Sequence, residues 1–185
     1  LDSATIGMGL SIQDPEALKL LVKSLVDRDV RISLDASALV SYILPLLSGK
    51  NVVVTPHAGE FKKMFGEVPP DSKNARITMV EKFAKDHSIT ILLKGPTDII
   101  SNGTKTYINP TNTPGMTVGG TGDILSGIIA GMLARNRNAL ESAVISAYFN
   151  GLAGKSTQKK LGSHMTATDL LDALPSVMKS FDKIK

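Results

Sequence analysis

The chain has 185 residues, of which 42% are hydrophobic, so it can bury a core and is too apolar to be disordered throughout. Its formal net charge of +4 is spread over scattered lysines and arginines, and aromatic residues make up only 4%, which argues against a nucleic-acid partner. The absence of cysteine excludes disulfides and zinc-thiolate sites. No run of about 18 apolar residues predicts a membrane span, so we expect a cytoplasmic protein.

Short β-branched runs alternate with helical patterns through the first half of the chain. Strands are predicted over residues 4–8, 30–35, 51–56 and 89–94, and helices over 14–28, 36–48, 59–66 and 72–86. Pro45 interrupts the second of these helices, and Gly66 ends the third. Continuous apolar strands that alternate with helices are typical of a parallel sheet covered on both faces.

The second half of the chain has a different pattern. Asn102-Gly103 separates two strand-like runs, 97–101 and 104–109, which predicts an antiparallel hairpin. Helices are predicted over 123–135, 139–159 and 167–181, and the last begins with Thr166 followed three residues later by Asp169. No repeat or linker interrupts residues 1–185, so we expect one domain.

A glycine-rich segment, Met116 to Gly127, runs directly into an apolar helix. Free backbone N–H groups at a helix N-terminus bind anions, and glycine lets a phosphate approach the main chain closely. Asp123 in the first turn either caps the helix or pairs with its dipole, or it is a general base that accepts a proton from an attacking hydroxyl. No Lys-Ser/Thr pair follows the glycines, so this is not a Walker loop.

The segment "GGTGD", residues 119–123, resembles the anion-hole motif of the ribokinase-like superfamily. Two further segments, "VVVTPHAGEFKKMFG" (52–66) and "ILLKGPTDII" (91–100), resemble one branch of it, the ATP- or ADP-dependent NAD(P)H-hydrate dehydratases. "IGMGL" and "LDASAL" lie upstream in the matching order, so the resemblance covers nearly the whole chain. It implies a ribokinase-like, doubly wound α/β sheet, mostly parallel with an antiparallel hairpin and helices on both faces.

The resemblance also implies an activity: phosphorylation of the hydroxyl on hydrated NADH or NADPH (NADHX or NADPHX), followed by elimination of phosphate. Mg²⁺ and ATP or ADP as phosphoryl donor are the implied cofactors, and a homo-oligomer is expected. Asp123 would be the catalytic base, and the anion hole would be formed by Gly120, Thr121 and Gly122. The implied nucleotide-binding residues are Lys94, Gly95, Pro96, Thr97, Asp98 and Gly122. Gly9, His57 and Asp123 would contact the substrate, and Glu60 would be associated with the metal through water.

Several of these residues have simpler interpretations. His57 would then only close a strand and turn, and Glu60 would be an ordinary first-turn helix carboxylate. Lys94 would lie at a strand end with its ammonium group extended into solvent. Gly127 and Gly131 are expected to let their helix pack closely against a neighbour.

The sequence departs from the family pattern at Met8, Ser11, Ser37, Thr117 and Val118. Family members also carry strands and helices before the equivalent of "SATIGMGL", so we expect the domain to be N-terminally incomplete here. Two other functions remain open: a small-molecule alcohol kinase of the same superfamily, and a nucleotide-binding remnant without catalysis.

Overall fold

The protein is built around a six-stranded mixed sheet. The computed structural model describes residues 1–135 and 138–182. The strands are β1 (Ser3–Ile6), β2 (Arg31–Leu34), β3 (Val52–Val54), β4 (Thr90–Leu93), β5 (Asp98–Ser101) and β6 (Thr106–Asn109), in the spatial order of the sequence. The first four strands are parallel, whereas β5 is antiparallel to both β4 and β6.

Helices cover both faces of the sheet. They are α1 (Pro15–Val26), α2 (Leu44–Leu47), α3 (Ala58–Phe65), α4 (Lys73–His87), α5 (Thr121–Ala134), α6 (Ala139–Leu161) and α7 (Ala167–Lys179). The first four connect the parallel strands, and α5 and α6 pack on the sheet from the other side, with α7 on α6. The predicted fold class, a mostly parallel doubly wound sheet with helices on both faces, is confirmed.

The strands alternate between two hydrophobic cores, because successive side chains of a strand point to opposite faces. Val52 and Val54 belong to the core under the connecting helices, while Val53 between them packs with α5 and α6. Leu92 and its neighbours on β4 divide in the same way. This two-sided burial explains why the strands read as continuous apolar runs.

Helix α5 is attached to β1 and β2 by hydroxyl groups. The Ser126 Oγ lies 2.5 Å from Thr5 Oγ1 and 2.9 Å from Ser33 Oγ. The Ser3 hydroxyl donates a hydrogen bond to the Ala130 carbonyl at 2.7 Å. These contacts fix the position of the helix relative to the carboxyl ends of the parallel strands.

Several element predictions are confirmed. The hairpin turns at Asn102-Gly103, where Gly103 has a φ of 84°, and Gly66 ends α3 in the left-handed conformation. The predicted helix over 36–48 is instead two 3-10 helices, Ala36–Ala38 and Ser41–Ile43, and the short α2, with Pro45 in the first turn of α2. Proline lacks a donor N–H, which suits a first turn and not a helix interior.

The packing role predicted for Gly127 and Gly131 is wrong. A Cβ at either position would have no heavy atom of the described residues within 4 Å, apart from the local helix backbone.

No described helix is long and apolar enough to cross a bilayer.

Candidate active site

The carboxyl ends of the parallel strands meet the N-terminus of α5. Gly120 is the N-cap residue, with a left-handed φ of 94°, and a Cβ there would lie 2.9 Å from the Ala167 side chain. The Thr121 hydroxyl donates to the Met116 carbonyl at 2.8 Å and lies 3.1 Å from the Val118 carbonyl. Thr121 therefore closes the loop before the helix, and the N–H groups of the first turn remain available to an anion.

Asp123 occupies the third position of α5, where a carboxylate often bonds back to the helix cap. Two other helices do form this capping box: Glu60 bonds to the backbone of His57, and Asp169 to that of Thr166. Asp123 is exposed, and no described residue donates a hydrogen bond to its carboxylate. The capping interpretation of Asp123 is therefore not realised, and the carboxylate is free to accept a proton.

A buried ion pair lies beside this helix end. The Lys94 Nζ, at the end of β4, is 2.7 Å from Asp35 Oδ1 and 3.5 Å from Glu60 Oε2. The Asp35 side chain is only 2% exposed and follows β2, while Glu60 lies in α3. A Cβ at Gly122 would stand 3.4 Å from the Lys94 Nζ, so glycine keeps open the gap between the helix N-terminus and the lysine.

His57 has a structural role and also faces a cavity. Its Nδ1 accepts hydrogen bonds from the N–H groups of Gly59 at 3.0 Å and Glu60 at 3.3 Å, which caps α3. Its Nε2 lies 3.5 Å from Glu60 Oε1, and the side chain is 59% exposed. The ring thus closes the turn after β3, as its simpler interpretation predicts, while part of it lines the cavity described below.

Asp98 holds the "KGPTD" loop, residues 94–98, in place through hydrogen bonds to its carboxylate. Its Oδ1 accepts from the Gly95 N–H at 3.2 Å and from Asn112 Nδ2 at 2.8 Å, and its Oδ2 accepts from Asn109 Nδ2 at 3.0 Å. Burial raises the pKa of Asp98, and hydrogen bonds from Asn109, Asn112 and the Gly95 backbone and the charge of Lys94 oppose that rise. The carboxyl group thereby ties the loop after β4 to the segment after β6.

A cavity of about 650 Å³ opens between these loops and α6. Its lining combines polar groups from the strand ends with aliphatic side chains. The predicted site residues among the lining are His57, Lys94, Gly95, Pro96, Asp98, Thr121 and Gly122. This composition suits a ligand with an anionic end and an apolar part.

The other predicted residues lie around this cavity without lining it. Asp123 is on the exposed side of the α5 N-terminus, Gly9 is in the exposed turn after β1, and Glu60 lies behind Lys94. Thr97 and Gly120 belong to the two loops that border the cavity. The structure therefore brings most of the predicted residues to one edge of the sheet.

Sequence reasoning missed Asp35 and the residues that come from α6 and the segment before α5. Asp35 has a recognisable signal, since it is an acidic residue directly after a buried strand whose carboxyl end faces the site. Asn112, Thr113 and Asn150 also line the cavity. They have no local signal, because only the packing of α6 against the segment after β6 brings them there.

The charged residues fit a magnesium-nucleotide complex better than a metal held by protein alone. In the described part of the chain, no group of three or more His, Cys, Asp or Glu side chains could hold a metal ion. Mg²⁺ commonly needs only one or two carboxylates, with water and substrate phosphates completing its shell. Asp35 and Glu60, both in contact with Lys94, supply such a pair.

Comparisons with known proteins agree with this geometry. The family model described as NAD(P)H-hydrate dehydratase matches residues 1–176. The chain is 66% identical over 184 residues to an ADP-dependent (S)-NAD(P)H-hydrate dehydratase of Nitrosopumilus maritimus, covering 100% of this chain and 64% of that protein. It is 42% identical to the bifunctional NAD(P)H-hydrate repair enzyme Nnr of Pyrobaculum aerophilum, covering 95% of this chain and 34% of that protein. The chain thus spans about two thirds or less of the length of these curated relatives.

Solved structures give the same result for the fold. The Bacillus subtilis ADP/ATP-dependent NAD(P)H-hydrate dehydratase, co-crystallised with ATP and Mg²⁺, superimposes with a TM-score of 0.86 at 28% identity, covering 98% of this chain and 65% of that one. A hydroxyethylthiazole kinase of Pyrococcus horikoshii has a TM-score of 0.79 at 18% identity, covering 100% of this chain and 76% of that one. At that identity the second likeness concerns the fold alone.

Proposed function

Because the chain belongs to the NAD(P)H-hydrate dehydratase family, we propose that its protein dehydrates NADHX or NADPHX with ADP or ATP as phosphoryl donor. The observation that carries the proposal is the carboxylate of Asp123 in the first turn of α5, to which no described residue donates a hydrogen bond and which directly follows Gly122, the residue beside Lys94. The names of these two relatives, an ADP-dependent dehydratase and a repair enzyme, support this assignment.

Different residues of the site would contact different parts of the nucleotide. The N–H groups of Gly120, Thr121 and Gly122 and the Lys94 ammonium would hold the phosphates. The loop of Gly95, Pro96 and Thr97 would border the nucleotide, while Asp98 keeps that loop in place. In the proposed reaction Asp123 accepts the proton of the ring hydroxyl. The hydroxyl oxygen bonds to the terminal phosphorus of the nucleotide, and the bond between that phosphorus and its bridging oxygen breaks.

The phosphorylated hydroxyl then leaves as inorganic phosphate, with loss of a proton from the ring, which restores the reduced nicotinamide. His57 and Gly9 would contact the hydrated ring from the strand ends. Mg²⁺, when bound, would neutralise charge on the phosphate oxygens. Asp35 and Glu60 would hold that ion, in part through water, and would keep Lys94 directed towards the phosphates.

The test is an activity assay on the full-length protein. Incubation with NADHX or NADPHX, Mg²⁺ and either ADP or ATP should restore the absorbance of the reduced nicotinamide near neutral pH. A stable phosphorylated product would instead favour an alcohol kinase. Nucleotide binding without turnover of any substrate would favour the non-catalytic remnant.

The remaining expectations about the protein belong to the same proposal. Residues 1–185 would belong to a single ribokinase-like domain. The protein would act in the cytoplasm as a homo-oligomer. Size-exclusion chromatography with light scattering on the full-length protein measures the oligomeric state directly.

A further inference from the structure

Among the described residues, two that line the cavity containing Lys94 each carry a buried polar atom without a hydrogen-bond partner. These atoms are the Oδ1 of Asn150, whose residue is only 5% exposed, and the Oγ1 of Thr113. The described residues contain two more such atoms, the hydroxyls of Ser142 and Ser146, and neither of these serines lines the cavity. A buried polar atom without a partner is costly, so its position in a cavity wall indicates a ligand that supplies the missing bond.

Tight packing holds both residues in place. A Cβ at Gly151 would overlap the side chain of Thr111, and one at Gly154 would overlap that of Met116. The segment between Thr111 and Met116 therefore lies directly on α6, one turn of which carries Asn150. Asn109 extends this contact, since its Nδ2 donates to the Ala147 carbonyl at 3.0 Å. Neither Asn150 nor Thr113 is on a free surface loop.

The cavity is chemically divided. Lys94, Gly95 and Gly122 provide a cationic and N–H-rich part, whereas Met116, Val118 and Leu125 provide an aliphatic part. An aliphatic wall beside the carboxamide of Asn150 suits a flat heteroaromatic base, whose faces are apolar and whose edge forms hydrogen bonds.

From this arrangement we propose that Asn150, assisted by Thr113, reads the purine of the bound nucleotide and selects adenine through its 6-amino group. The proposal rests on the nucleotide site proposed above and adds the residues that recognise the base. A carboxamide oxygen accepts from the 6-amino group of adenine while its NH₂ donates to an adjacent ring nitrogen. Guanine presents a carbonyl oxygen at that position, which leaves the Asn150 oxygen unpaired. The Thr113 hydroxyl can donate or accept at a neighbouring atom.

The experiment pairs a change in the protein with a change in the ligand. The full-length protein and its Asn150→Leu variant are titrated calorimetrically with ADP, GDP and purine riboside 5′-diphosphate, which lacks the 6-amino group. The wild type should bind ADP about tenfold more tightly than either of the other two, within the range measured for an asparagine-adenine pair. In Asn150→Leu, ADP affinity should fall about tenfold and become equal to that of purine riboside diphosphate.

Controls separate the base from the phosphates. Inorganic pyrophosphate should bind wild type and Asn150→Leu equally, and Lys94→Gln should weaken it. Asn74→Leu, at an exposed asparagine of α4, should leave all affinities unchanged. Thr113→Val changes only a hydroxyl for a methyl group, so it tests the same end of the cavity if Asn150→Leu does not fold, and it should weaken ADP several-fold with pyrophosphate unaffected.

The outcomes are distinguishable. Unchanged ADP affinity in both variants, or preference for ADP over purine riboside diphosphate that persists in Asn150→Leu, overturns base reading while the phosphate site stands. Equal binding of GDP and ADP to the wild type also overturns it. If pyrophosphate binding does not respond to Lys94→Gln, the nucleotide site itself fails, and base reading fails with it.

Discussion

At the scale of single residues, position in the fold separates two carboxylates that look alike in sequence. Asp123 and Asp169 both occupy the third position of a helix, α5 and α7 respectively. Asp169 accepts hydrogen bonds from the Thr166 side chain and backbone, which lower its pKa. The α5 cap is Gly120, which has no side chain and adopts a left-handed φ of 94°, and neither its backbone nor any other described residue donates a hydrogen bond to the Asp123 carboxylate. This difference makes Asp123 the candidate base.

We therefore expect Asp123→Asn to lower kcat by about 10²–10⁴-fold, the usual contribution of a general base, with ADP binding unchanged. Asp86→Asn is the control, because it removes an exposed carboxylate at the end of α4, before β4 begins, and kcat should stay at the wild-type value. Steady-state kinetics and calorimetric titration with ADP measure the two effects. An Asp123→Asn enzyme with wild-type kcat would contradict the assignment.

Lys94 pairs with the buried carboxylate of Asp35 and lies 3.5 Å from the partly buried carboxylate of Glu60. Lys94→Gln should lower the free energy of unfolding by about 3 kcal/mol, because it leaves Asp35 unpaired in the interior. The double variant Asp35→Asn, Lys94→Gln should recover part of that loss. Lys82→Gln is the control, since its pair with Asp86 at 3.6 Å is exposed and contributes about 0–1 kcal/mol. Chemical denaturation measures all four proteins; equal losses for Lys82→Gln and Lys94→Gln would refute this account.

At the scale of secondary-structure elements, α6 and the segment after β6 form one side of the site. Gly151 allows that segment to lie against the helix, whereas Gly131 in α5 faces open space. Both glycines are in helix interiors, where alanine has the higher helix propensity. Their surroundings alone therefore decide what a methyl group does at each position.

Gly131→Ala should raise the free energy of unfolding by about 0.5–1 kcal/mol, the propensity gain alone. Gly151→Ala should lower it by about 1–3 kcal/mol, because the new methyl group overlaps Thr111 and overpacks the contact. It should also weaken ADP binding, since Asn112 and Thr113 move with the displaced segment. Thermal or chemical denaturation of the two variants measures the sign of each change in the free energy of unfolding. A stabilising Gly151→Ala would show that the segment adjusts without strain.

At the scale of the whole molecule, the network around Asp98 joins the sheet, both cavity loops and α6. Asn109 donates to Asp98 and to the Ala147 carbonyl, and Asn112 donates to Asp98 and to the Gly95 carbonyl. Burial is the largest influence on the Asp98 carboxyl and raises its pKa. Its contribution to stability is therefore complete below the ordinary pKa of 3.8 and is lost as the pH rises through the raised value.

Asp98→Asn should lower the free energy of unfolding at neutral pH by about 1–3 kcal/mol, because its NH₂ would face the NH₂ of Asn109 and leave donors unpaired. The difference between wild type and variant should shrink as the pH rises from 3.8 through the folded pKa, since only the wild type carries this titration. Urea denaturation across that pH range measures the difference. A difference that grows with pH would mean that the pKa is lowered in the folded protein.

Periodicity and turn chemistry in the sequence by themselves determined the parallel strands, the hairpin at Asn102-Gly103 and the glycine-led start of α5. These features depend on local backbone preference and on which face of an element is apolar, so neighbouring residues suffice to specify them. The motif residues Lys94, Gly122 and Asp123 were recognisable because their segments resemble those of a known family.

Tertiary structure alone decided which of those side chains form ion pairs or hydrogen bonds within the protein and which do not. It paired Lys94 with Asp35, 59 positions away, and left the Asp123 carboxylate without a hydrogen bond from any described residue. It also placed Asn150 of α6 in the cavity wall. Such contacts join residues far apart in the chain, and they follow from how helices pack on a sheet, which no local sequence pattern encodes.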